Sequence, residues 1–231
     1  MSPESPDTAI ERVGVVGGGI MGTGIAEVCA RAGLDVILVE VDADAAERAR
    51  ERIAASLGHA VERGKLEAEE AERALAAMAF DTELERLADR DIVIEAVVED
   101  KEAKLDVFRR LSAILADPEA IIASNTSSIP IVELAAAAGD RSGHVVGLHF
   151  FNPVPVLSLV EVIPSLLTSS ETTERAQRFA AGQLGKNPIE APDRAGFTVN
   201  ALLVPYLLSA IRMFEQGLAS AEDIDEGMVK G

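Results

Sequence analysis

Apolar and polar positions along the chain follow two alternating rhythms. Short apolar runs at Arg12–Val16, Asp35–Glu40, Asp91–Ala96 and Ala120–Ser124 have almost no polar face. That pattern predicts strands of a parallel sheet covered on both sides. Between them the spacing turns helical. Ile20–Ala32 stops before Gly33, a good helix end. Lys101–Leu115 lines up Leu105, Phe108, Leu111 and Leu115 on one face. Ile131–Ala138 and Thr172–Gly182 are two further helices, and Phe80-Asp81 a weak short strand. Ala43–Leu57 and Glu67–Ala77 are polar helices with a break expected around Gly58 and Gly64, together forming a projecting helical pair. Two more apolar runs, His144–Phe150 and Leu157–Ile163, flank a Pro-rich turn. Strand and helix in alternation give a doubly wound α/β domain.

The rhythm changes at about Pro192. Thr198–Gln216 is a long helix apolar on all sides, and Ser220 looks like the cap of another. This reads as the start of a helical domain whose remainder is missing. The expected organisation is a flexible leader over 1–11, the α/β domain over 12–192 and a partial all-α domain over 193–231.

Charge and composition narrow the partners. The 21 basic and 39 acidic residues leave a net charge of −18, which repels nucleic acid and anionic membranes. Tyr occurs once and Trp not at all, so base-stacking platforms are scarce. The most apolar stretch, Leu202–Ile211, is too short for a membrane span and contains Pro205. Cys29 is the one cysteine, which favours a reducing, cytoplasmic setting and the role of a small core residue. His59, His144 and His149 show no metal-ligand spacing.

Candidate chemistry gathers at strand ends. Gly17-Gly18-Gly19-Ile20-Met21-Gly22 fits the G-x-G-x-x-G pattern between a strand and a helix, and Glu40 ends the next strand. The glycines let a pyrophosphate approach a helix N-terminus, and the acid would take the adenine ribose hydroxyls and disfavour a 2′-phosphate. A Rossmann-type NAD site follows; glycines serving packing alone are the plainer reading. Glu95, Glu99 and Lys104 come after the next strand, as dipole complements at a helix start or as ligand contacts. Ser124–Ser128 is a polar run on the same edge, a helix cap or a set of hydrogen bonds to ligand. Asn200 opens the apolar helix, as a cap or as a contact to a substrate carbonyl. In HFFNPVPVLSLVE (149–161) the turn can return Glu161 to the side of His149. A histidine charged by a buried carboxylate is a proton-transfer device, although a satisfied core histidine with a rim glutamate has the same spelling.

Together GGGIMGTGIA (17–26), IEAVVED (94–100), SNTSS (124–128), GLHFFNPVPV (147–156), LVEVI (159–163) and AGFTVNALLVPYLLSAI (195–211) resemble the short-chain L-3-hydroxyacyl-CoA dehydrogenase family, bacterial 3-hydroxybutyryl-CoA dehydrogenases above all. The resemblance runs from about Arg12 onward. It implies reversible NAD-dependent oxidation of (3S)-3-hydroxyacyl-CoA, with His149 as base and Glu161 as its orienting partner. Ser127 and Asn200 would surround the reacting oxygen and thioester. Gly17, Gly19, Ile20, Met21, Gly22, Glu40, Glu99, Lys104, Ser127 and Asn152 would meet NAD. The CoA arm would meet Ser56, Ser127 and a basic residue, Arg63 or Lys65, on the helical pair. For a full-length member the resemblance also implies a homodimer.

The chain departs from the family at Ala195, where proline is usual, and at Ala201, where arginine is usual. Two other readings stay open: a non-catalytic NAD-binding fragment, and a dehydrogenase of the same fold acting on a hydroxy acid without CoA.

Overall fold

The computed structural model describes residues 9–231. Its centre is one eight-stranded sheet in the order β3-β2-β1-β4-β5-β6-β7-β8. The strands are β1 (Arg12–Val16), β2 (Asp35–Val39), β3 (Met78–Asp81), β4 (Ile92–Glu95), β5 (Ile121–Ser124), β6 (Val145–Phe150), β7 (Leu159–Ile163) and β8 (Asn187–Glu190). All neighbours are parallel except β6 and β7, which the Pro-rich turn joins antiparallel. The central strands are buried end to end, as their two-sided apolar runs require. Their side chains divide between two cores, one on each face of the sheet.

Helices α1 (Ile20–Arg31), α2 (Ala43–Glu62), α3 (Ala68–Ala76), α4 (Lys101–Ile114), α5 (Ile131–Ala137), α6 (Ser170–Arg178), α7 (Val199–Glu215) and α8 (Ala221–Lys230) complete the chain. The break expected near Gly58 does not occur. α2 runs through it, because a mid-helix glycine costs only about 1 kcal/mol while Ile53 and Leu57 are packed in the core on the helix's inner face. The turn comes at Gly64, the second expected position, where φ is +64°. The α2–α3 pair buries Ala46, Ala49, Ile53, Leu57 and Ala74 and turns its charged face to solvent.

Three local expectations change. Of the expected leader, residues 1–8 lie outside the described ones, but Ile10 is buried and the Gln183 side-chain amide donates to its carbonyl at 2.6 Å. The packed domain therefore starts before Arg12. The helix expected through Gly182 widens into a π turn over Phe179–Gln183. Strand β8 was not expected, since Pro188 interrupts its short run; on a sheet edge a missing N–H is tolerated. α7 and α8 bury no residue. None of the helices among the described residues is long and apolar enough to cross a membrane.

Candidate active site

Sheet topology builds the centre of the site. His149 on β6 and Glu161 on β7 are directly opposed across the antiparallel pair. Both are buried, and His149 Nδ1 lies 2.7 Å from Glu161 Oε2. The other ring nitrogen, Nε2, is 3.0 Å from Ser127 Oγ at the end of β5. Phe151 and Phe197 meet the imidazole edge-on, with ring centroids at 4.6 and 5.4 Å. One face of the histidine's chemistry is thus a charge and the other an exposed hydroxyl. That arrangement holds the ring in a fixed orientation, with one nitrogen on a buried carboxylate and the other turned to a hydroxyl at the open edge.

Two clefts meet at Ser127. One, of about 280 Å³, is bounded by Met21, Ala96, Glu99, Lys104 and Asn125; the other, of about 660 Å³, by Arg194, Gly196, Asn200 and Val204. No hydrogen bond among the described residues uses the Asn200 side chain, so it is neither a cap nor an interhelical clamp here.

The SNTSS run does not cap a helix either. α5 is capped from a distance: the Asp193 carboxylate accepts from Ile131 N at 2.7 Å and Val132 N at 2.8 Å. The run instead closes around Glu99, which accepts from Thr126 Oγ1 (2.5 Å), Ser128 Oγ (2.9 Å) and Ser127 N (3.0 Å). Burial pushes the Glu99 carboxyl upward, but these donors and the nearby Lys104 charge outweigh it, and it ends below the ordinary carboxylate range. Lys104 is not the exposed helix-start charge its position suggested. It is 1% exposed, with Nζ 2.6 Å from Glu95 Oε1 and 3.2 Å from Glu99 Oε2. Glu95 is itself buried and takes Ser124 Oγ and Val97 N as well.

The glycine loop fits a dinucleotide. Gly17 has φ +99°, and a Cβ there would sit 2.7 Å from Ala96 O. At Gly22 a Cβ would strike Gly17 O, whereas at Gly19 the space is open. The first turn of α1 has no acidic residue and no side-chain cap, so its amides are free to meet an anion. Glu40 is pinned beside the loop, accepting from Gly18 N at 2.6 Å and Val41 N at 3.0 Å. Asn152 and Ser56 line a smaller pocket between α1, α2 and the Pro-rich turn, which Arg52 joins while donating to Gly18 O at 2.5 Å. Arg63 and Lys65 stand exposed past the far end of α2. Sequence reasoning missed Arg52, Asp193 and Phe197, whose roles arise from contacts between distant segments.

The model of the 3-hydroxyacyl-CoA dehydrogenase NAD binding domain matches residues 12–194, and that of the C-terminal domain of the same enzymes matches 196–231. The chain belongs to the 3-hydroxyacyl-CoA dehydrogenase family. It is 52% identical to a 3-hydroxybutyryl-CoA dehydrogenase of Mycobacterium tuberculosis over 96% of this chain and 78% of the relative. Its structure matches that of FadB2 from the same organism with a TM-score of 0.95 at 52% identity, covering 96% of this chain and 78% of that one. The (S)-3-hydroxybutyryl-CoA dehydrogenase of Ralstonia eutropha matches with a TM-score of 0.91 at 41% identity, again over 96% and 78%. The chain is accordingly an NAD-dependent oxidoreductase of 3-hydroxyacyl-CoA, acting on a CH–OH group.

Proposed function

We propose that the preferred substrate pair is short-chain, (3S)-3-hydroxybutyryl-CoA and acetoacetyl-CoA, and that His149 moves the proton. The observation that carries the second part is the seating of His149 between Glu161 and Ser127, where the two clefts join. Bound NAD supplies the acceptor for the hydride that leaves C3. His149 Nε2 takes the hydroxyl proton, and the Glu161 carboxylate offsets the charge of the imidazolium. In the opposite direction the imidazolium gives that proton to the ketone oxygen. Ser127 Oγ shares Nε2 with the reacting oxygen and holds it in line, and Asn200 donates from across the larger cleft toward the thioester. General acid–base help of this kind contributes about 10²- to 10⁴-fold.

The cofactor would lie over Gly17, Gly19, Ile20, Met21 and Gly22, with its adenine ribose on Glu40 and its nicotinamide end toward Glu99, Ser127 and Asn152. Lys104 reaches that cleft from its floor. The CoA arm would pass Ser127 and Ser56 and end on the positive charge of Arg63 or Lys65, which an acidic protein needs locally. A homodimer in the cytoplasm completes the reading, in keeping with the single buried Cys29 and the exposed apolar length of α7.

Loss of NADH absorbance with acetoacetyl-CoA tests the substrate. Turnover with acetoacetyl-CoA at least as efficient as with longer 3-oxoacyl-CoAs is expected. Turnover only with long acyl chains would overturn the short-chain reading, and turnover only with acids lacking CoA would overturn the reading as a whole.

A further inference from the structure

Glu161 has two oxygens and two clients. Oε2 faces His149 Nδ1. Oε1 accepts from Thr198 N at 3.0 Å and Val199 N at 2.9 Å, the first amides of α7. Those amides are among the donors that a helix start leaves without an internal partner, and no side chain of α7's own cap satisfies them. The carboxylate lies on the sheet and is wholly buried, so its position is fixed. Asn200 is the very next residue along the helix that it holds. The approach to α7 is tight as well. Phe197 is buried at φ +46°, in the left-handed region that a bulky residue avoids, and from there its ring meets His149.

We propose that Glu161 is a positioning residue for α7, so that the carboxylate which charges His149 also sets where Asn200 stands in the substrate cleft. The two sides of the reacting centre, proton acceptor and thioester donor, then share one anchor. The inference rests on the roles given above to His149 and Asn200. It adds that acyl-CoA binding depends on Glu161 through α7, separately from proton transfer.

The substitutions pull the two clients apart. Glu161→Gln keeps an amide oxygen for the α7 amides but turns an NH₂ toward Nδ1, which reverses the imidazole tautomer. Glu161→Ala removes both. The affinity for acetoacetyl-CoA is measured in the presence of oxidised NAD, a pair that cannot react, and kcat is measured separately with NADH. Glu161→Ala is expected to weaken acetoacetyl-CoA binding by about threefold to tenfold, the size of one lost hydrogen bond. Asn200→Ala should do the same, and the double variant no more than either. Glu161→Gln should bind within about twofold of wild type while kcat collapses, as should His149→Gln. Additive losses in the double variant, or normal binding by Glu161→Ala, would overturn the coupling. If Glu161→Ala does not fold, binding by Glu161→Gln as weak as that of Asn200→Ala overturns it instead. A wild-type chain that turns over acetoacetyl-CoA under any of these outcomes leaves the function standing; one that neither binds nor reduces it overturns both.

Discussion

The sheet carries two buried carboxylates near its ligand-binding edge, Glu95 at the end of β4 and Glu161 on β7, both 0% exposed. Each is saturated with partners, but the partners differ in kind. Glu95 spends its oxygens on Lys104, Val97 N and Ser124, and makes an ion pair buried at both ends beneath the smaller cleft. Glu161 spends its oxygens on a histidine whose far nitrogen meets an exposed serine, and on a helix that borders the cleft. A buried charge is therefore no sign of chemistry by itself. The two partners differ in reach: His149 turns its far nitrogen to an exposed hydroxyl, whereas Lys104 is itself 1% exposed and meets only further carboxylate and backbone oxygens.

Breaking the His149–Glu161 pair should produce the largest effect. His149→Gln is expected to lower kcat by about 10²- to 10⁴-fold while NADH still binds, as read by fluorescence titration. Nearly normal turnover would remove His149 from the mechanism. Breaking the Glu95–Lys104 pair should show first in stability. Lys104→Met leaves the Glu95 charge buried beside an apolar chain, a loss of about 3–5 kcal/mol for removing one partner of a buried ion pair. Joint replacement, Glu95→Gln with Lys104→Met, should recover much of that in urea unfolding. A single variant as stable as wild type would show that Glu95 finds another partner.

A third change tests the cofactor edge. Glu40→Ala should weaken NAD by about tenfold, from lost charge-assisted hydrogen bonds to the ribose, and relax the preference over NADP. An unchanged ratio of kcat/KM for the two cofactors would contradict the ribose role.

The sequence made some of this legible because the evidence was local. A glycine loop between strand and helix, an acid about 20 residues on, and two apolar runs hinged at Asn152-Pro153 are patterns of spacing, and they led to Gly17–Gly22, Glu40 and the His149–Glu161 pair. What stayed hidden depends on contacts between distant segments. Asp193 caps α5 from 62 residues away, Gln183 ties Ile10 into the core, and α2 ignores Gly58 because Ile53 and Leu57 are already packed. Lys104 read as a surface charge because periodicity places a residue on a helix face without saying that Glu95 waits beneath it. The second client of Glu161 was hidden for the same reason: nothing in LVEVI announces that α7 begins against it.

Glu99 lies between the two carboxylates in character, and its effect should be the smallest. It is half-open, 43% exposed at the side chain, and touches both the Glu95–Lys104 pair through Lys104 and the His149–Glu161 pair through Ser127. Burial opposes its charge, but the Thr126 hydroxyl, the Lys104 charge, the Ser128 hydroxyl and the Ser127 amide prevail, so its folded value is depressed. A depressed carboxyl binds fewer protons folded than unfolded, so its contribution is complete above the unfolded carboxylate range and disappears as pH falls through the folded value. Glu99→Gln should therefore destabilise the protein modestly at pH 7, with the difference from wild type shrinking as acid is added below the ordinary glutamate range. Solvent screening of so exposed a group keeps the effect small. Urea unfolding of both proteins at neutral pH and at several acidic values measures it. A gap that stays constant with pH would mean that Glu99 stabilises through shape and neutral hydrogen bonds alone, and that the charge of Lys104 is fully taken up by Glu95.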